Sequence, residues 1–560
     1  MNRIRRLYLE DFGILPDDGQ NMAPFLRQAI EEAQALPGPC EISLRFGNYD
    51  IYADDLAEKK IFVTNTDSGK DGDEITRRFA VLFDSVQNII LNGNGSTIRF
   101  HGQMTLMGLL NCQDITLKNM IFETPHPTLT EMTVIALGKG YLDCRVHPDS
   151  RYRIRDGKIE WYGENFAFSR GVSQLYDPKS GLTWREYGPM QDENAVWEES
   201  SAGVLRLWYT GDEYQNPYGA QVGYVFQMRD PYRNECGILV SSAKGITLKN
   251  IVIHYMHEMG FIAQNSENIY IDGLQVLPSR GRTAACSSDI LHFSGCRGEI
   301  VIENGCFVGA HDDTVNIHGT HVRIMKKEGR CITIRFMHTQ TYGIGGFEPG
   351  DTVAAVDPDT LLLAAEATVI SANELSPREI LLELDGESLE AFSEGMMVEN
   401  RTAAPAVTIR GNTFERVPTR GILVTTWRKV LIEDNRFYRV KMCGILIADD
   451  ARSWYESGNV TDVTVRGNVY RKGGGAFLQV LPENSLYAGP VHRHIIVTGN
   501  DLEFSQGNET VLEARCTDDI AFCNNRLSGT GNECRLTFED CGNVCVQGNL
   551  FAGKLTVINK

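Results

Sequence analysis

Apolar and polar residues alternate along most of this chain in runs of four to six positions. Each run ends in a polar pair containing Asn, after which an apolar residue resumes. The pattern occupies Ile115–Asn119, Ile246–Asn250, Val407–Asn412, Val430–Asn435, Val463–Asn468, Ile495–Asn500 and Val544–Asn549. Alternation of period two reads as a short strand with one buried face. The step from Asn412 to Asn435 is 23 residues and from Asn525 to Asn549 it is 24. Strands that recur at such a period predict a solenoid in which every coil pairs its backbone with the coils above and below. Asn suits the bend because it tolerates left-handed backbone, and its amide can pair with the Asn of the next coil.

Two long gaps interrupt the ladder, one between Asn119 and Asn250 and one between Asn304 and Asn412. Each is several times the length of a coil, so one coil removed from each leaves room for two inserted β modules. The second gap itself reads as short strands, Cys331–Phe336, Thr352–Val356 and Ile380–Leu384. An amphipathic helix over about 22–35 precedes the first coil, where it would cover an open sheet edge. The expected architecture is all-β: a right-handed parallel β-helix with two inserted β-barrel-like modules and an N-terminal capping helix. Its divisions are 1–125 (cap and first coils), 126–235 (first module), 236–319 (middle coils), 320–402 (second module) and 403–560 (last coils).

Composition narrows the partners. With 54 Lys+Arg against 73 Asp+Glu, the formal charge is −19. An acidic surface does not displace counterions from nucleic acid and disfavours a polyanionic substrate. Residues 1–11 carry Arg3, Arg5 and Arg6 without an apolar core, so neither a leader peptide nor a membrane span is read, and the expected compartment is the cytoplasm. The 14 Cys fall singly and without a CxxC pair, as buried reduced thiols do.

One segment concentrates acidic chemistry. Ser287–His292 contains Asp289, and His311–Gly319, which reads HDDTVNIHG, contains Asp312 and Asp313. Asp289 and Asp312 are 23 residues apart, one coil, and each precedes a strand. The three carboxylates are therefore expected on one face, where mutual repulsion raises at least one pKa. An acid to protonate a leaving oxygen beside a base to activate water is what glycosidic hydrolysis uses. Solvated turn aspartates and a Ca²⁺ site are the competing readings of such a cluster. Aligned strand starts add Glu258 and Arg420 to that face, with Gln264, His292, His311 and Asn316 on nearby strands and Trp427 as an apolar platform for a sugar. Arg420 is expected to hold Asp313 ionised while Asp312 stays farther from the cation. The histidines near these aspartates, His292, His311 and His318, show no HExxH or His-x-His spacing, so no metal and no cofactor are expected.

The stretch from Tyr214 through Gly319, with Asp289 and the HDDTVNIHG motif, resembles glycoside hydrolase family 110, the α-galactosidases that remove terminal α-1,3-linked galactose. The resemblance covers most of the chain, the two gaps included. It implies an exo-acting hydrolase that inverts the anomeric centre without a metal. Asp312 would be the general acid, and Asp289 and Asp313 the pair activating water. The implied partner is a carbohydrate ending in α-galactose. A homodimer through the inserted modules is a further expectation, and the export common in that family is not matched by a readable leader here. Two alternatives stay open: a polygalacturonase-like inverting hydrolase, whose Gly-His-Gly and Arg-Ile-Lys motifs are missing, and a non-catalytic β-helix that binds glycans.

Overall fold

A computed structural model of the protein describes residues 4–66, 75–210, 216–504, 507 and 509–560. Tyr214, which opens the family-like stretch, lies outside them. Among the described residues, 21 strands form one sheet and 14 another, and nearly all neighbours within these two are parallel. The repeats recognised in the sequence stack in register: Ile115 pairs with Ile246, and Val407, Val430, Val463, Ile495, Ile520 and Val544 follow one another in a single column. Their inward side chains and those of the second sheet merge into one continuous core running the length of the solenoid. Aromatic rings lie over one another inside it, Phe307 on Phe414 and Phe414 on Phe437, with centroids 5.7 and 5.0 Å apart.

The Asn ladder departs from its expected form in one respect. At Asn119, Asn250 and Asn304 the Asn itself takes the left-handed conformation. In the last coils the preceding residue does so instead, as Gly411 (φ 67°), Asp434 (φ 56°) and Gly467 (φ 66°). The Asn then turns inward and is fully buried at 412, 435 and 468. Each side-chain amide donates to the Oδ1 of the next at 3.0 Å, and that same oxygen accepts a backbone N–H. A second donor of Asn435 reaches the Ile409 carbonyl, so the buried rung has no idle donor. Replacement of Asn468 by Ala removes the acceptor of both the Asn435 N–H and its amide. Orphaned buried donors cost about 1–3 kcal/mol each, so the variant should unfold at clearly lower denaturant concentration than the wild type. An unchanged midpoint would remove the ladder's energetic role.

The helix Ala23–Ala35 buries Ala23, Leu26, Ala29, Ile30 and Ala33, which join the solenoid core beside the first coil. The first inserted module is a seven-stranded antiparallel sheet drawn from Thr130–Arg229, with a three-stranded companion, and has its own aromatic core. The second is a closed six-stranded barrel between Val322 and Asn400. It leaves the solenoid after the strand Val315–Thr320 and returns before Ala406–Arg410. Both modules flank the coils that carry Asp289 and Asp313.

Candidate functional site

Three consecutive coils of the second sheet place the strands Leu291–Ser294, Val315–Thr320 and Arg420–Val424 side by side, with Leu291, Val315 and Ile422 in register. Counting back two residues puts Asp289, Asp313 and Arg420 level with one another. The equivalence of Asp289 with Asp312 expected from the sequence spacing is therefore off by one. The coil from Asp289 to Asp313 holds 24 residues. Asp312 stands one place before the column, its N–H donating to the Ser288 carbonyl. The three carboxylates still meet: one oxygen from each lies within 4.8 Å of the others. Oxygens that close could share a hard cation, but here guanidinium groups supply the positive charge.

Arg420 Nη2 lies 2.7 Å from Asp313 Oδ2, while Asp313 Oδ1 accepts from Thr419 Oγ1 at 2.6 Å and from the Arg420 N–H at 3.1 Å. Burial nevertheless pushes Asp313 up to about 8, with the other two aspartates adding to the shift against the pull of Arg420. Asp289 is likewise pushed up to about 7, by burial and then by Asp312. Asp312 behaves oppositely. Although burial opposes it, Arg185 (2.5 Å) and Arg233 (3.6 Å), with Arg420 and Arg229 behind, hold Asp312 below the ordinary carboxylate range. The expectation that Asp312 would be the carboxylate remote from cations is overturned: the first inserted module reaches over the cleft and delivers Arg185 to it.

The hydrogen-bond contacts around His292 and His318 agree with a proton on Asp289 once both rings are neutral. His318 Nδ1 lies 2.6 Å from the Gly319 carbonyl, which can only accept, so Nδ1 carries a hydrogen. Burial lowers His318 and drives His292 down to about 4, leaving both imidazoles neutral. His318 Nε2 is then bare and accepts from His292 Nε2–H at 3.1 Å. That leaves His292 Nδ1 bare as well, and the hydrogen in its 2.8 Å contact with Asp289 Oδ2 belongs to the carboxyl group. In this arrangement Asp289 is protonated and Asp312 is ionised.

The cleft is lined by the three aspartates with Asn65, Arg185, Arg233, Asn316, Arg420, Trp454 and Glu456. Of the residues expected from sequence, Asn316 and Arg420 are in the lining and His292 stands directly behind Asp289. The others are elsewhere. Glu258, in left-handed backbone (φ 35°), sends its carboxylate to Gln103 Nε2 and the Glu235 N–H, where burial and Glu235 push it up to about 8. Gln264 is roofed by the segment 62–66, accepting from the Thr64 N–H and donating to the Phe62 carbonyl. His311 faces the first module: its Nε2 contacts Gln227, and Gln174 donates to its carbonyl. These clamps fix the loop that carries Asp312. Trp427 donates its indole N–H to the Arg401 carbonyl and is flanked by the guanidinium groups of Arg401 and Arg428, each 4.8 Å from the ring centre. It wedges the barrel exit and presents no face to the cleft.

The aromatic at the cleft is Trp454, 42% exposed and packed on His338 of the barrel with ring centroids 4.4 Å apart. A signal for it exists in the sequence. Asn435 and Asn468 are 33 residues apart, well beyond a plain coil, and the surplus is the loop that carries Trp454 and Glu456. Arg185 and Arg233 had no such signal, because the first insertion has no period to read.

Comparison with known proteins adds an independent line. Residues 130–217 match the model of GLAA-B beta-barrel domain I, and residues 331–395 that of GLAA-B beta-barrel domain II. Alpha-1,3-galactosidase A of Bacteroides thetaiotaomicron is 38% identical over 528 residues, 93% of this chain and 91% of that protein. The enzyme of the same name from Bacteroides fragilis is 33% identical over 569 residues, 98% and 92% of the two chains. Alpha-1,3-galactosidase B of B. thetaiotaomicron is 29% identical over 571 residues, 97% and 91%.

Proposed function

The chain belongs to the GLAA-B family of alpha-1,3-galactosidases, and from that premise we propose that it is a glycoside hydrolase that removes terminal α-1,3-linked galactose with inversion. The observation that carries the reading is the burial of three carboxylates together with Arg420 in one small cleft. A solenoid that only bound glycans would gain nothing from desolvating three like charges.

Asp312 is assigned as general acid. Its side chain is the most exposed of the three, 15% against 8% for Asp289 and 1% for Asp313, as a group that must reach a glycosidic oxygen requires. Asp289 and Asp313 face the water. The protonation pattern inferred from these contacts is then that of the enzyme after turnover, with the proton taken from water on Asp289 and Asp312 ionised. Before the next turnover that proton has to pass to Asp312. The cleft has about 90 Å³ of free space, well under the roughly 300 Å³ of ordinary ligand pockets, so a sugar enters by displacing a side chain. Arg185, 53% exposed, is the mobile candidate. Once it leaves, Asp312 loses its nearest cation and its proton affinity rises.

Two results test this. Proton NMR of the first product formed from an α-1,3-galactosyl oligosaccharide should show β-galactose; α-galactose would refute inversion, and no turnover of any α-galactoside would refute the assignment. The pH dependence follows from the shared proton. Asp289 and Asp313 titrate near 7 and 8 as members of one cluster. The active form holds one proton, for Asp312, and two ionised carboxylates, so kcat/KM should rise as the cluster loses its first proton near 7 and fall as it loses its last near 8. Activity still climbing well above that pH would contradict it.

A further inference from the structure

A second cavity, about 490 Å³, adjoins the catalytic cleft, and Arg420 borders both. It lies on the outer face of the second sheet, over the coils that follow Arg420. Register ties it to the cleft: Asn316 pairs with Leu423, Leu423 with Leu446, Leu446 with Gln479, Gln479 with Glu513 and Glu513 with Thr537. One outward column thus runs from the catalytic coil down the floor of the groove. Neighbouring coils are about 4.8 Å apart, so Glu513, four coils beyond Asn316, is about 19 Å away. Upstream the same column is shut, because Gln264, two places beyond its Ile262 rung, is held under the segment 62–66. A glycan whose terminal ring occupies the cleft meets that segment upstream and the open groove downstream.

We propose that this groove binds the part of the substrate that becomes the leaving group, as a short chain of uncharged, hydroxyl-rich sugar rings. The floor is made for hydroxyl groups. Gln479 Nε2 donates to Glu513 Oε2 at 3.0 Å, which orients an amide and a carboxylate side by side. Glu483 and Glu539 also line the groove, outnumbering with Glu513 the cations Arg420 and Arg515, whose side chains are engaged by Asp313 and the Pro482 carbonyl. Carboxylates accept from sugar hydroxyls and repel acidic substituents, so a sialylated or sulfated chain is disfavoured. Met442, 48% exposed at the cleft end, offers an apolar surface to a ring face.

This inference rests on the α-galactosidase reading, and the test separates the two. Wild type and a Gln479→Ala/Glu513→Ala double variant are compared on 4-nitrophenyl α-galactoside and on a tetrasaccharide ending in α-1,3-galactose. The double variant should lose at least tenfold in kcat/KM on the tetrasaccharide and stay within twofold of wild type on the nitrophenyl substrate, which also reports correct folding. Unchanged tetrasaccharide kinetics, or equal losses on both substrates, would overturn the groove assignment alone. Failure of the wild type to hydrolyse either substrate would instead overturn the reading beneath it.

Discussion

Asp312→Asn should lower kcat on an α-1,3-galactosyl oligosaccharide by about 10³-fold, a barrier increase of about 4 kcal/mol, within the range for loss of a general acid. The same variant should lose far less, about tenfold, on α-galactosyl fluoride, whose leaving group needs little protonation. Asp289→Asn and Asp313→Asn should lose heavily on both substrates, because both still need an activated water. Asn at 289 is also a close copy of the protonated carboxyl: its amide can donate to His292 Nδ1 as that carboxyl does. The variant should therefore fold normally and be inactive. Equal losses for Asp312→Asn on the two substrates would move the acid role to another carboxylate.

Arg420→Ala carries the second large effect. Asp313 is fully buried, and Arg420 is the cation in contact with it, at 2.7 Å. Removing one member of a buried pair costs about 3–5 kcal/mol when the other must stay charged. Asp313 avoids that cost by taking a proton. Its pKa, already raised, then rises further, so the ionised form needed to activate water is present only at higher pH. At neutral pH kcat should fall about 100-fold, and the acid limb of its pH profile should shift upward. Arg420→Lys returns a positive charge near Asp313 and should recover part of the loss. Near-normal kinetics for the alanine variant at neutral pH, with an unmoved acid limb, would rule out this role.

The solenoid was legible because its signal is redundant. Each coil repeats the same inward alternation, and Val407, Val430, Val463 and Ile495 are found in the column their spacing implied. The meeting of Asp289, Asp312 and Asp313 was legible for the same reason, since one coil of separation brings residues together whatever the exact register. Which of the pair aligns with Asp289 was not, because coils one residue longer or shorter both occur in this ladder and only the backbone bonding decides. Direction at strand ends was also hidden: Glu258 lies within one residue of the predicted face, yet its left-handed backbone sends the carboxylate to Gln103. Trp427 and Trp454 exchanged places because an aromatic next to a strand looks the same whether it wedges a module or faces solvent. Arg185 was invisible, since it arrives from a module that has no repeat with the coils it covers.

The barrel has a consequence for chain entropy. Asp313 and Arg420 touch across adjacent coils but are 107 residues apart in sequence. Joined by a flexible segment of that size, the two coils would meet only against a loop-closure cost that grows by about 0.6 kcal/mol with each doubling of length. The barrel cancels most of that penalty, because its first strand pairs antiparallel with its last, Val322 against Val398. Once it has folded, its two ends are already neighbours, and to the solenoid the excursion is as short as a tight turn. The contact between Asp313 and Arg420 is thus closed by a module that lies outside the coils, and the register of the cleft depends on the barrel holding its two ends together.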